Sequence, residues 1–389
     1  MSTPHELKPQ PDQRRAAHLE LQGVSDHPPM ESLQQAIEHG QQQSAIAVPD
    51  DAELDMSARE LGDLGQQMLE QGKWPEAEPV LLRALAKAEQ EGDANNQTRA
   101  TILLGRLCSN RGDFPEAHKL LQQALALAER LENAWLQGAI YSEIGTIHRV
   151  QSQYPQAIVY YRRSLEMMET LGDEPGMAAG YGNLGTVYLQ QGELDRAIEA
   201  YEKGLALALK PNNQQHAAQI YGNLGIVYCQ QGRLEQAAER YRKSLEITQR
   251  LGLEATSTNT YGNLGTVYQQ QGALDRAIGM HEKAVAIDER IGNEPGAARD
   301  YGNLAICYKK KGDVAQALEL YRKSLAITER IGDRHGAAMT YFNLGLLYWE
   351  EIGDANEASA NLERAKALFD QVGDARGAQK AAQVLQGLS

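Results

Sequence analysis

Apolar residues fall at alternating spacings of three and four over most of the chain. In residues 177–190 they are Tyr181, Leu184, Val187 and Tyr188, one face of a helix. Gln191-Gly192-Glu193 interrupts the pattern, with glycine supplying the left-handed residue that ends a helix. A second helical stripe follows at Ala197, Tyr201, Leu205 and Ala208. Clusters such as Gly172-Asp173-Glu174-Pro175-Gly176 separate one helix pair from the pair before it. Strand signals are absent, so an all-α class is expected and a parallel sheet is not.

The pattern repeats. Tyr181-Gly182-Asn183-Leu184-Gly185 recurs at Tyr221, at Tyr261, at Tyr301 with Ala305 in last place, and at Tyr341 with Phe342 in second place, every 40 residues. The same register run backwards finds weaker copies at Ile144-Gly145, Leu104-Gly105 and Leu64-Gly65. Eight units, about Ala58 to Val372, are therefore expected.

Composition changes this picture in one respect. The chain of 389 residues carries 17 Tyr against 3 Phe, and 36 Gly. Six tyrosines share the column of Tyr181, five that of Tyr188 and four that of Tyr201, so 15 of the 17 fall at repeat positions. They read as packing residues between helices, not as an aromatic cage. Gly185 and Ala197 are small where the two helices of a unit would approach.

The match Leu184-Gly185, Tyr188, Gly192, Ala197, Tyr201 and Gly204 resembles the tetratricopeptide repeat, over about four-fifths of the chain. The usual period is 34; here it is 40, which lengthens both helices. The long form with Asn before Leu-Gly is similar to the repeats of kinesin light chains and Pins-type scaffolds. The resemblance implies an α-solenoid, a right-handed superhelix whose first helices line a concave groove.

By that resemblance the groove-facing columns lie five residues before the signature Leu, one before, two after and six after. The column one before reads Asp63, Leu103, Glu143 and then Asn183, Asn223, Asn263, Asn303 and Asn343. Asparagine is a mediocre helix former, so local propensity does not explain five in a row. Each amide offers two donors and an acceptor, which suit the main chain of an extended peptide. Two other readings stand beside this one: a ladder of Asn bonded from unit to unit, or columns inherited by duplication. Gln190, Gln230 and Gln270, six after the Leu, would add polar contacts, and Arg299, five before, a charged anchor. Arg299 and Asn303 resemble half of a carboxylate clamp, but Asn259 and Met339 flank them where a full clamp needs more cations. Arg99 and Arg106 form a second basic pair, expected to be solvated.

Charge and cysteine narrow the partner. The 38 Lys+Arg against 52 Asp+Glu give −14, which argues against a nucleic-acid groove and against anionic membranes. No apolar run approaches the roughly 18 residues of a membrane span. Three cysteines without a CxxC pair suit a reducing, cytoplasmic setting. No metal-ligand, phosphate-loop or nucleophile motif is present, so neither a cofactor nor catalysis is expected. His148, His281 and Cys108 occupy tyrosine columns, and Cys307 a valine column, which makes them core substitutions.

Residues 1–52 are rich in Pro and Gln and read as a disordered arm with a short helix at 12–21. The arm either is inert or folds back into the groove as a pseudo-ligand. Residues 53–373 form the array and 374–389 a polar capping helix. Near Trp349-Glu350-Glu351-Ile352-Gly353 the register slips by one residue. The expected function is a non-enzymatic protein–protein interaction scaffold or adaptor, monomeric, holding an extended peptide segment of a partner. The alternatives are a peptide-sensing regulator that compacts on its ligand and an architectural self-assembling array.

Overall fold

A computed structural model describes residues 56–210 and 213–388 of the chain. The arm expected at 1–52, with the short helix expected at 12–21, lies outside the described residues. Among the described residues there are 17 α-helices, one π-turn and no strand. They form eight helical hairpins, at 58–91, 94–130, 134–171, 174–208, 214–251, 254–291, 294–331 and 334–371, called units one to eight below. A final helix, Ala375–Leu388, packs on the second helix of unit eight.

Most helices run 17 or 18 residues, which is how the 40-residue period is taken up. Asp or Asn caps several first helices: Asp173, Asn293 and Asp333 accept from Gly176, Gly296 and Gly336 N–H at 3.2, 3.4 and 2.9 Å. The turn inside each hairpin needs a left-handed residue, and Gly192 supplies it with φ +76°. In unit three that place is taken by Ser152 at φ +59°, and Glu132 before the unit stands at +50°.

The two helices of a unit meet at the signature glycine. A Cβ on Gly185 would lie 2.7 Å from the Tyr201 ring, and one on Gly225 would lie 2.5 Å from Tyr241. Tyr161, Tyr201, Tyr241 and Tyr321 are the largest side chains of this seam and are fully buried or nearly so. Tyr161 and Tyr201 bring their hydroxyls within 3.0 Å of Thr146 and Thr186 Oγ1. The Tyr181 column sits between units instead. Tyr301 and Tyr341 donate to Glu289 and Glu329 of the preceding unit at 2.5 and 2.6 Å, and Gln249 donates to Tyr261. Lys243, Lys283, Lys323 and Arg364 lie over the rings of Tyr221, Tyr261, Tyr301 and Tyr341 at 5.6–5.8 Å. Phenylalanine at Tyr161, Tyr201, Tyr261, Tyr301 or Tyr341 would fill the same place but make none of these hydroxyl bonds.

The extra residue near position 350 is absorbed locally. The first helix of unit eight, Arg334–Leu347, widens into a π-turn over Tyr348–Ile352, closed by Asp354 N–H on Tyr348 C=O at 3.0 Å. The α-helical register resumes at Ala355.

Contacts run mainly between helices adjacent in sequence. Each helix packs on the one before and the one after, and in five places first helices of successive units touch directly. Second helices of successive units make no comparable contact. The array therefore bends with its first helices on the inside. No described helix is long and apolar enough to cross a membrane.

Candidate functional site

The inner surface is a row of first helices, and the Asn column runs along it. Asn183, Asn223, Asn303 and Asn343 are half-buried and Asn263 is exposed. Asn183 Nδ2 donates to Ser142 Oγ of the preceding unit at 3.2 Å. Asn223, Asn263, Asn303 and Asn343 make no side-chain hydrogen bond within the described residues, and no bond joins one Asn of the column to the next. Four consecutive units thus present an amide with no internal partner. Gln190, Gln230 and Gln270 are exposed at the ends of their helices and likewise carry no side-chain bond among the described residues.

The first units carry the same columns with charges. Arg99 reaches back across the inner seam to Asp63 at 2.8 Å, and Arg106 reaches forward to Glu143, Nε to Oε1 at 3.0 Å. Glu143 holds the Arg106 guanidinium above its ordinary range, since losing that proton would leave the carboxylate unpaired. The expected solvated pair of Arg99 and Arg106 is corrected here: each cation is matched by a carboxylate of the neighbouring unit. Where Asp63 and Glu143 give way to Asn, the cations opposite give way too, save Arg299, whose counterpart in the preceding unit is Asn263. The middle of the inner surface is consequently neutral.

The column two after the Leu faces the groove less than expected. Thr146, Thr186 and Thr266 are half-buried, and each returns its hydroxyl to a carbonyl one turn back in its own helix, at 3.0–3.1 Å. Thr146 and Thr186 also touch the buried tyrosines. Ile226, Ile306 and Leu346 make the later part of this column apolar and half-buried.

Arg299 is half-exposed on the first helix of unit seven, Glu294–Lys311, one turn before Asn303. Its Nη2 lies 3.1 Å from Oδ2 of Asp300. Asp300 is itself fully buried and holds His281 Nδ1 at 2.7 Å through its other oxygen. The tyrosine column places His281 in the core but does not give its partner. Asp300 stands in a column held elsewhere by Ile140, Gly180, Ile220, Thr260 and Thr340, and an acid there was the available signal.

Nucleophile chemistry finds no support in the thiols. Burial pushes Cys108 and Cys307 up to about 11, so both stay protonated near neutral pH. All three cysteines are free. Among the described residues no group of three His, Cys, Asp or Glu side chains could hold a metal.

The tetratricopeptide repeat family model matches residues 56–130, 136–210, 216–290 and 296–371, two units in each match. No curated protein sequence matches the chain. Among solved structures, BtubC (BKLC) from P. vanneervenii is similar at 26% identity over 57% of this chain and 92% of that one, with a TM-score of 0.51. The quorum sensor NprR from B. thuringiensis, in its apo form, is similar at 15% identity over 86% and 93%, TM-score 0.60. A Rap protein complexed with Competence and Sporulation Factor is similar at 16% identity over 85% and 97%, TM-score 0.56. The last two likenesses are likenesses of fold.

Proposed function

The chain belongs to the tetratricopeptide repeat family, and we propose that it is a non-enzymatic protein–protein interaction scaffold whose inner surface holds an extended segment of a partner. The observation that carries this is the run of Asn223, Asn263, Asn303 and Asn343, whose amides have no internal partner. Asparagine in a helix interior costs stability relative to alanine, by up to about 0.7 kcal/mol each. No side-chain bond among the described residues compensates for it at these four places. A backbone laid along the row would meet one amide per unit, able to donate and accept at once. The neutral middle of the groove favours main-chain recognition over strongly charged side chains. Asn183 contributes from its bond with Ser142, and Gln190, Gln230 and Gln270 extend the polar edge.

The test is the double replacement of Asn223 and Asn263 by Ala. Partners would be captured from extracts of the native cell by the wild-type chain and by the variant in parallel, with thermal midpoints measured for both. Loss of capture at an unchanged or raised midpoint is the expected result. Equal capture would end the proposal, and a large fall in midpoint would assign the column to the fold instead.

A second reading, a peptide-sensing regulator, draws on the fold shared with a protein named a quorum sensor and with one crystallised on a signalling factor. A sensor of that kind would shorten on its ligand. X-ray scattering with and without the captured segment separates the two, because a passive adaptor keeps its radius of gyration.

A further inference from the structure

Three departures from the repeat meet at one point between units six and seven. His281 takes the place of the buried tyrosine held by Tyr161, Tyr201, Tyr241 and Tyr321. Asp300 takes a core column that is uncharged from unit two to unit six and in unit eight, where Ala100, Ile140, Gly180, Ile220, Thr260 and Thr340 stand; in unit one Glu60 occupies it but is exposed. Arg299, beside it, stands in the inner-surface column where Ala179, Gln219, Asn259 and Met339 carry no charge. His281 Nδ1 and Asp300 Oδ1 are 2.7 Å apart, and both side chains are completely shielded from solvent. Asp300 Oδ2 is 3.1 Å from Arg299 Nη2, and the Arg299 side chain is 49% exposed. A continuous line therefore runs from a buried imidazole, through one carboxylate, to a cation at the surface.

Arg99 shows what an arginine of this column does otherwise: it reaches to the acid of the preceding unit's Asn column, Asp63. For Arg299 that position is Asn263, and the guanidinium turns to Asp300. The same helix also carries Lys310, exposed and without an ion pair among the described residues, on the stripe Arg299, Asn303, Ile306, Lys310. Arg106 and Lys309, by contrast, are matched by Glu143 and Glu350. Unit seven is thus where the inner surface carries cations not cancelled by a carboxylate reached across the seam.

We propose that His281, Asp300 and Arg299 form a proton-linked relay, through which the charge of the buried imidazole sets how freely Arg299 engages an acidic segment at unit seven. The ligand half of this rests on the groove reading above; the relay half does not. With His281 neutral, the charge of Asp300 is balanced by Arg299, and the guanidinium is held against its own helix. With His281 protonated, Asp300 is balanced from inside and Arg299 is released. An anion bound to Arg299 acts in the same direction as removing that cation from Asp300: it favours the imidazolium. Binding of an acidic segment then takes up a proton, and affinity rises as pH falls through the titration of the histidine.

Little else that is charged faces the imidazole. The first helix of unit six contributes Gly265, where an added Cβ would fall 2.6 Å from Nε2, and no charge. Nε2 itself has no hydrogen-bond partner. On its own helix lies Asp288, fully buried, with Asn293 Nδ2 donating to Oδ1 at 2.8 Å. Burial, with the charge of Asp300 adding to it, pushes the Asp288 carboxyl above its ordinary range. The bridging carboxylate is Asp300, whose two oxygens meet His281 Nδ1 and Arg299 Nη2.

The repeat itself supplies the control variant. Tyr241 and Thr260, and Tyr321 and Thr340, stand at the equivalent positions of units five to six and seven to eight, so H281Y/D300T restores the residues that the chain carries there. Asp300→Asn is the second variant, close in shape and without the charge. The first measurement is an NMR pH titration of the His281 ring in the full chain and in Arg299→Gln. Removing the guanidinium should move the His281 midpoint upward, and Asp300→Asn should move it downward. The second is fluorescence anisotropy with fluorescein-labelled tetraglutamate, and tetraglutamine as the uncharged probe. Tetraglutamate affinity should rise about 5-fold or more as pH falls across whatever midpoint the NMR titration gives. The profile should be flat in H281Y/D300T and in Asp300→Asn. A His281 midpoint indifferent to Arg299→Gln overturns the relay, whatever the peptides do. A shifted midpoint with no preference for tetraglutamate overturns the acidic ligand, while the Asn double variant tests the groove separately with its own partner.

Discussion

Single residues show most plainly what could be read from the sequence. The tyrosine columns were legible because periodicity survives in one dimension. Their hydroxyl partners were not, since Glu289 and Glu329 belong to the preceding unit's second helix and lie 12 residues away from Tyr301 and Tyr341. The same holds at the candidate site. The Asn positions follow from the register, but whether each amide is already bonded depends on what faces it across the seam. Only Asn183 meets a hydroxyl there. Backbone strain is a further residue-scale feature. Ser152 and Glu132 hold φ of +59° and +50° where most units use glycine. Replacing either by Gly should raise stability by about 0.5–1 kcal/mol, the relief of a left-handed side chain less the added freedom of the unfolded chain. Gly279 is the opposite case, mid-helix with open space around its Cα, and Gly279→Ala should gain about 0.5–1 kcal/mol. Urea denaturation of the three variants checks both; a loss in Ser152→Gly would mean that its side chain is bonded in a way the backbone does not reveal.

At the scale of the element, the repeat dictates helix length and the exceptions are local. Most helices end at a glycine; the second helix of unit four ends at Ala208, three residues short of its counterpart in unit five. The slip near position 350 was visible as one residue too many, but its form was not. An extra residue can lengthen a turn or widen a helix. Here Gly353 at φ +78° keeps the turn as in other units, so the helix widens instead. Deleting Glu351, which is exposed, removes the surplus residue without touching a buried side chain. The variant should fold with its thermal midpoint unchanged or raised, and circular dichroism should show undiminished helix content. A fall of more than a few degrees would show that the π-turn is needed for docking Ala355–Gln371. A second pattern at this scale went unread: Lys210, Arg290 and Arg330 at the ends of second helices pair with Glu174, Glu254 and Glu294, the first residues of their own units' first helices, at 2.5 Å. Each pair closes one hairpin, 36 residues apart.

The whole molecule inherits its behaviour from contacts that, among the described helices, stay within a unit or between adjacent units. Because helices touch only within their own unit and the adjoining ones, stability is a sum over units and over the seams between them. Eight copies of one hairpin were legible for the same reason: a fold built from local contacts repeats its sequence wherever it repeats its structure. The acidic balance of −14 described the chain as a whole, yet the inner surface changes along its length, from ion pairs in units one to three, through bare amides, to the cations of unit seven. No composition could have shown that gradient. It follows that damage should stay near where it is made. Leu121 is fully buried in unit two against Gly105, and Leu121→Ala should cost about 2–5 kcal/mol there. Hydrogen exchange read by mass spectrometry should lose protection in units one to three while units six to eight keep theirs. Uniform loss along the chain would instead mean that the array unfolds as a single cooperative body. In that case the seams between units would be stronger than the units they join, and a ligand lying across four of them could not act on one unit alone.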